Sequence, residues 1–203
     1  PTRRSPAPAP LVKRLELARL LAAAKRLIRH RDFVIVGSLS ILGATLDPPE
    51  EMIGSIDVDL YPKSDPGRID EIARTLGEGS AFHRRHGIYA DPVSPFLPSL
   101  PAGWEERLIA LPLATGVTAW CLEPHDAAVS KYVRGEERDR LWCRAGLAHR
   151  ILKANTLRER LRNTHAVEPG EIDRARAAIA ADVRALRSTR TRETRKRRKR
   201  SQA

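Results

Sequence analysis

Two aspartates one residue apart, Asp57 and Asp59, are the best candidates for chemistry in this sequence. They lie in residues 55–61, where apolar and polar residues alternate as in a β-strand. Side chains two residues apart leave a strand on the same face, with Cα atoms roughly 6–7 Å apart. Two carboxylates this close repel each other unless a cation lies between them. Because Mg²⁺ combines carboxylate ligands with substrate phosphates, the pair predicts a magnesium site; a solvated edge-strand face is the alternative.

A possible phosphate-binding turn precedes this strand. Gly37 and Ser38 follow the nearly all-apolar residues 32–36, which predict a buried central strand, and residues 39–46 predict a short buried helix. Backbone N–H groups at a helix N-terminus bind phosphate, and glycine lets a phosphate approach the backbone closely. Together with the Asp-x-Asp strand, the turn predicts one element for a triphosphate and another for the metal ions that bridge it.

The elements that must position these residues predict an α+β protein, with a small mixed β-sheet flanked by helices and then a helical C-terminal region. Further strands are predicted at 82–93, 107–113 and 116–122, and helices at 11–30, 66–76 and from 125 onward, with breaks at Gly135 and at Pro169-Gly170. The expected organisation is a disordered N-terminus at 1–10, a core at 11–122, the helical region at 123–187 and a basic disordered tail at 188–203.

Composition narrows the class of protein. Hydrophobic residues make up 41% of the chain but aromatic residues only 4%, which predicts a core of aliphatic and alanine side chains. No stretch approaches the roughly 20 apolar residues that span a bilayer, and no signal peptide is expected. The two cysteines, Cys121 and Cys143, are expected to be buried reduced thiols, which favours a cytoplasmic protein.

Positive charge is concentrated at the C-terminus. The chain has a net charge of +12, and residues 187–203 contain nine Lys/Arg and one Glu, a net of +8. Such a segment predicts either a non-specific phosphate-binding arm or a solvated terminal extension.

At this point the chain resembles the nucleotidyltransferase superfamily that includes DNA polymerase β. The shared pattern is an apolar strand, Gly-Gly or Gly-Ser, and then a strand with Asp-x-Asp, matched here by residues 33–38 and 57–60. Eighteen residues separate Ser38 from Asp57, which implies an insertion around residues 46–53.

A second stretch is similar to the helical motif of AbiEii-type toxin nucleotidyltransferases. It consists of residues 123–131, ending in Lys131, followed by Arg138 and Asp139. The nearest resemblance is to an uncharacterised bacterial branch of that group, and residues 87–91 and 100–104 also match it. The resemblance covers about residues 30–150.

The resemblance implies roles for the matching residues. Asp57 and Asp59 would bind two Mg²⁺ or Mn²⁺ ions, and Lys131 would contact the triphosphate of an NTP. Gly37 and Ser38 would hold its β- and γ-phosphates.

Such sites also have a third carboxylate, for which the sequence offers two candidates. Placement on a neighbouring strand favours Asp91 as a metal ligand, whereas the toxin-like motif favours Asp139 near the acceptor. The alternatives are structural: Asp91 precedes Pro92 and could stabilise a turn, and Lys131, Arg138 and Asp139 could be ordinary helix-surface charges.

The function implied is metal-dependent transfer of a nucleoside monophosphate from an NTP to a hydroxyl, with release of pyrophosphate. The toxin-like resemblance suggests an RNA acceptor, the tRNA 3′ end, and a possible cognate antitoxin. A protein hydroxyl is the other acceptor, and no membrane partner is expected. A catalytically silent nucleotidyltransferase-fold binding module, antitoxin-like or RNA-binding, is the alternative.

Overall fold

A five-stranded mixed β-sheet positions the predicted site. The computed structural model describes residues 9–165 and 168–200, and in this part of the chain the strand order is β3-β2-β1-β5-β4. The strands are β1 (Asp32–Ile35), β2 (Asp57–Pro62), β3 (Tyr89–Pro92), β4 (Ile109–Leu113) and β5 (Val117–Cys121). The β1–β5 and β2–β3 pairs are parallel, and the β1–β2 and β4–β5 pairs are antiparallel. The predicted α+β class is therefore confirmed.

The apolar strand β1 lies at the centre of the sheet, as its sequence predicts. Phe33, Val34 and Ile35 are all buried. In the neighbouring strand β2, Val58 and Leu60 are fully buried, whereas the two aspartates between and before them are half-buried. The predicted alternation is present over residues 57–60, where it turns both carboxylates away from the hydrophobic core, but not at Ile56, which precedes the strand and is exposed.

Helices surround the sheet and form most of the C-terminal half. They are α1 (Ala9–Ile28), α2 (Ile41–Ala44), α3 (Glu50–Ile53), α4 (Ile69–Leu76), α5 (Ala81–His86), α6 (Pro124–Arg134), α7 (Glu137–Ala148), α8 (Ala154–Arg162) and α9 (Glu171–Arg200). Among the described helices, none is long and apolar enough to cross a membrane.

One hydrophobic core joins the sheet to the C-terminal helices. Leu17 of α1, Phe33 of β1, Tyr132 of α6 and Ile179 of α9 belong to the same buried cluster. Trp142 of α7 is also buried there, and its indole N–H donates a hydrogen bond of 3.1 Å to the carbonyl of Met52. The core consequently fixes α6 and α7 relative to the sheet edge that bears the aspartates.

The prediction of a strand or strand pair at 82–93 is correct only at its end. Residues 81–86 form α5, and β3 begins at Tyr89. The Ser80 hydroxyl accepts a hydrogen bond from the His83 backbone N–H, and Gly87 ends the helix with φ 71°. A serine cap and a left-handed glycine are the usual boundaries of a helix, and they outweigh the apolar residues that suggest a strand.

The structure also differs from the prediction near both termini. Helix α1 begins at Ala9, and α9 continues to Arg200 although the sequence predicts disorder from residue 188. Residues 171–200 contain no glycine or proline, and lysine and arginine are good helix formers, so the packed first half of α9 can propagate. Residues 1–8 and 201–203 lie outside the described residues.

Candidate active site

Three carboxylates cluster on one face of the paired strands β2 and β3. Asp57 and Asp59 lie on β2, and the parallel register pairs Asp59 with Asp91 of β3. One oxygen from each of the three side chains lies within 4.8 Å of the others. Such a cluster of hard oxygen ligands fits Mg²⁺ or Mn²⁺.

The charges of this cluster are poorly compensated. Burial, and then the charges of Asp57 and Asp91, raise the pKa of Asp59 to about 6. Burial followed by Asp57 also raises the pKa of Asp91, while Arg138 opposes the shift. The Ser55 hydroxyl donates a hydrogen bond to Asp57. A divalent cation would remove the repulsion that these shifts express.

Gly37 allows the carboxylate of Asp59 to come close to the turn after β1. A Cβ atom at position 37 would lie 1.6 Å from Oδ2 of Asp59, which is impossible without displacing the carboxylate. The backbone at Gly37 has φ −85°, so glycine is needed here for space. A short 3₁₀ turn, Ser38–Ser40, follows and leads into α2, as the predicted strand–turn–helix arrangement requires.

Lys131 reaches this turn from the opposite side of the site. Its Nζ donates to Oγ of Ser38 at 3.0 Å and to Oδ1 of Asp139 at 3.2 Å. The lysine side chain is only 7% exposed. The predicted phosphate-binding turn and the predicted lysine, 93 residues apart in sequence, are therefore in direct contact.

Asp139 is buried and bound by two cations. Besides Lys131 it accepts hydrogen bonds from Nε and Nη2 of Arg134, at 2.7 and 2.6 Å. Burial alone would raise the pKa of Asp139, but the bonds from Arg134 and the charge of Lys131 hold it below its usual value. Of the two candidates for the third carboxylate, the structure brings Asp91 to the aspartate pair and Asp139 to the cations.

Two hollows meet at Asp59, Lys131 and Arg134, which line both. The polar hollow, of about 290 Å³, is also lined by residues that include Ser38, Ser55, Asp57 and Arg138. The apolar hollow, of about 280 Å³, is also lined by residues that include Val93, Leu97, Pro98 and Val133. The two hollows therefore share one charged wall, formed by Asp59, Lys131 and Arg134.

Sequence reasoning missed Arg134 and Ser55. Arg134 lies three residues after Lys131, and residues at this spacing share one face of a helix, so the signal was present. Ser55 precedes Asp57 by two residues in the segment predicted as a strand, where this spacing puts two side chains on one face. In the structure β2 begins at Asp57, and Ser55 still donates a hydrogen bond to the carboxylate of Asp57.

Comparison with known proteins places this geometry in a family. Residues 15–184 match the family DUF6036, described as a nucleotidyltransferase of unknown function. No curated protein and no solved structure matches the chain, and the AbiEii-type branch is not confirmed. Since the match covers most of the sequence, the chain belongs to the DUF6036 family of nucleotidyltransferases.

Proposed function

We propose that this protein transfers a nucleoside monophosphate from an NTP to a hydroxyl group. The acceptor oxygen forms a bond to the α-phosphorus, the bond from that phosphorus to the bridging oxygen breaks, and pyrophosphate leaves; the acceptor proton passes to solvent. The observation that carries the proposal is the set of three carboxylates with one oxygen each within 4.8 Å of the others, next to the cations Lys131 and Arg134, which line both hollows together with Asp59.

The donor atoms suit a divalent cation, because it would relieve the mutual repulsion of three neighbouring carboxylates, which contributes to raising the pKa of Asp59 to about 6. Asp57, Asp59 and Asp91 would hold Mg²⁺ or Mn²⁺. A bound ion would supply positive charge that stabilises the negative charge developing on the phosphates during transfer.

The triphosphate would lie against the cationic wall of the polar hollow. Ser38 and the Gly37 backbone would contact it from the turn after β1, and Lys131 would add a point charge. Arg134 offers a planar guanidinium that suits phosphate oxygens. Asp139 would act by holding Lys131 and Arg134 in place, since it is 1% exposed and bound to both.

For the acceptor we propose RNA, with the tRNA 3′ end as the specific candidate and a toxin-like role that a cognate antitoxin would restrain. The net charge of +8 in residues 187–203 supports a polyanionic acceptor. A protein hydroxyl is the other acceptor compatible with the same chemistry. Cys121 and Cys143 are both buried free thiols, which supports a reducing compartment such as the cytoplasm.

Incubation with each α-labelled NTP, Mg²⁺, cellular RNA and cellular protein tests this proposal. Label should enter the RNA fraction with at least one NTP, should disappear with EDTA, and should be absent for Asp57→Ala. Label in the protein fraction would instead identify a protein hydroxyl as the acceptor. Full transfer by Asp57→Ala would refute the role of the aspartates.

A catalytically silent binding module is the second candidate, and the inserted segment favours it. Glu51 and Met52 of α3 line the polar hollow beside Asp57, so this inserted segment forms part of the wall against which a triphosphate would lie. A thermal-shift comparison separates the two candidates. The enzyme should be stabilised by NTP only with Mg²⁺ or Mn²⁺, whereas a silent module should respond to RNA alone.

A further inference from the structure

A hollow between α8 and α9, away from the carboxylates, is lined largely by arginines. Arg158 and Arg162 of α8 and Arg176 of α9 line it, together with Leu161 and Ala180, and its volume is about 260 Å³. We call it the arginine hollow. Among the described residues no acidic residue lines it, and all three arginines are exposed.

Neighbouring side chains do not fully neutralise the positive charges of these three arginines. Arg158 donates to the neutral side-chain oxygen of Asn155 at 3.1 Å, so it remains uncompensated by that contact. Arg176 forms an ion pair with Asp173, which is exposed and therefore weak. The side chain of Arg162 has no hydrogen bond or ion pair within the described residues.

Cationic residues continue along the same helix pair. A second hollow, of about 400 Å³, is lined by residues that include Arg150, Lys153 and Arg187. Arg187 follows Arg176 by eleven residues, roughly 16 Å along the axis of α9. A single phosphate group could not contact both arginines at this distance, so the two hollows fit several phosphates of one polymer.

The acidic residue nearest the middle of α9 does not interrupt this surface. Asp182 is 5% exposed and binds Arg140 at 2.7 Å and Arg144 at 2.9 Å. The carboxylate of Asp182 is therefore neutralised by these two arginines, and the ion pairs connect α9 to α7. Beyond residue 187 the helix contains only one acid, Glu193, and no apolar residue.

The N-terminus of α9 connects this surface to the candidate active site. Glu171, the first residue of α9, lines the apolar hollow together with Lys131 and Arg134. Arg176 is five residues further on, roughly 8 Å along the axis. Five residues also rotate the helix by about 140°, so a polyanion bound in the arginine hollow would have to pass around the first turns of α9 to reach the site of transfer.

We propose that the arginine hollow binds backbone phosphates of a single-stranded RNA acceptor, which continues along α9 towards the basic segment. Concave hollows admit the protruding phosphates and unstacked bases of a flexible strand, and guanidinium planes stack on such bases. This inference rests on the proposed function, because it supplies the acceptor for the same transfer.

Fluorescence anisotropy with a labelled single-stranded RNA, in EDTA and without NTP, measures this binding independently of catalysis. The double variant Arg158→Glu/Arg162→Glu should weaken RNA binding about tenfold and reduce the salt slope of log K by about 1.4, the value for two single-strand phosphate contacts. The matched control is Arg74→Glu/Arg85→Glu, which changes the same charge at two exposed positions on α4 and α5. It should weaken binding less than the hollow variant and leave the salt slope close to that of the unaltered protein.

The possible results separate this inference from the proposed function. Equal losses in the two double variants, no RNA binding by the unaltered protein, or equal affinity for duplex DNA would each overturn the arginine hollow as an RNA site. RNA binding that depends on the hollow, without any transfer of labelled nucleotide, would instead refute the enzymatic function. The melting temperature of each variant checks that it is folded.

Discussion

The carboxylates on the two sides of the candidate site have pKa values shifted in opposite directions. On β2 and β3, Asp57, Asp59 and Asp91 lie together, and burial and mutual repulsion raise the pKa of Asp59 to about 6. On α7, Asp139 is also buried, yet the hydrogen bonds of Arg134 and the charge of Lys131 lower its pKa. Burial acts on both sides, so the neighbouring charges decide the outcome. The cluster of Asp57, Asp59 and Asp91 would therefore be stabilised by a bound metal cation, whereas Asp139 is already paired with Lys131 and Arg134.

Asp59→Asn should have the largest effect on activity. Removing a central ligand should reduce nucleotide transfer about a hundred- to a thousand-fold, comparable to the loss of a key electrostatic group in other active sites. The metal-free variant should be at least as stable as the unaltered protein, because the substitution relieves repulsion. Transfer assays and thermal melting in EDTA measure the two effects. Lower stability without metal would show that Asp59 is a structural residue.

Asp139→Asn should instead reduce stability. It leaves Lys131, which is 7% exposed, without its carboxylate, and breaking a buried ion pair from one side costs about 3 kcal/mol. Denaturant unfolding measures the change. Glu137→Gln is a matched control on the same helix, because its ion pair with Arg144 is exposed and should contribute less than about 0.5 kcal/mol. Similar losses in the two variants would contradict the structural role of Asp139.

Gly37→Ala should disturb the cluster of Asp57, Asp59 and Asp91 without changing any charge. The added methyl would lie 1.6 Å from Oδ2 of Asp59, so the carboxylate must move and the stabilisation by NTP with Mn²⁺ should fall. Gly67→Ala is the control, because the nearest atom to its added methyl, Oδ1 of Asp65, would be 3.5 Å away. The control should keep the thermal shift. If both variants keep it, close contact at Gly37 is not needed for metal binding.

A smaller effect should appear in the pH dependence of stability. The folded-state pKa of Asp59 lies above the ordinary value, about 6 against 3.8, so the folded protein binds the proton more tightly than the unfolded chain. Its contribution to the free energy of unfolding therefore falls as the pH rises from about 4 to about 6. Mn²⁺ competes with that proton, and its stabilising effect should grow through the same window.

Thermal melting at a series of pH values, with and without Mn²⁺ and NTP, measures both trends. Asp59→Asn should lose the part of the pH dependence that arises from this group. A Mn²⁺ effect that is equally strong at pH 4 and above pH 6 would contradict competition at Asp59.

The sequence predicts the acidic side of the site better than the cationic side. Strand alternation is a local pattern, so the shared face of Asp57 and Asp59 follows from two positions. Placing Asp91 opposite Asp59 depends on the parallel β2–β3 register, which no local pattern contains. Arg134 could have been found from its helical spacing to Lys131, but its pairing with Asp139 across the α6–α7 turn is a tertiary contact.

Elements were predicted well where one pattern dominates and poorly where two compete. The buried run of β1 and the breaks at Gly135 and Gly170 are confirmed. In residues 81–86 the capping residues oppose a partly apolar segment, and the helix α5 forms. At the C-terminus, high charge suggests disorder while helix propensity favours continuation, and α9 extends to Arg200.

Binding of Mn²⁺, followed by the electron paramagnetic resonance signal of the free ion, tests the central claim most directly. Without nucleotide, which would itself chelate Mn²⁺, the unaltered protein should remove Mn²⁺ from solution, Asp139→Asn should retain this ability if folded, and Asp59→Asn should lose most of it. Equal Mn²⁺ binding by the unaltered protein and Asp59→Asn would contradict the assignment of the three carboxylates as the metal site.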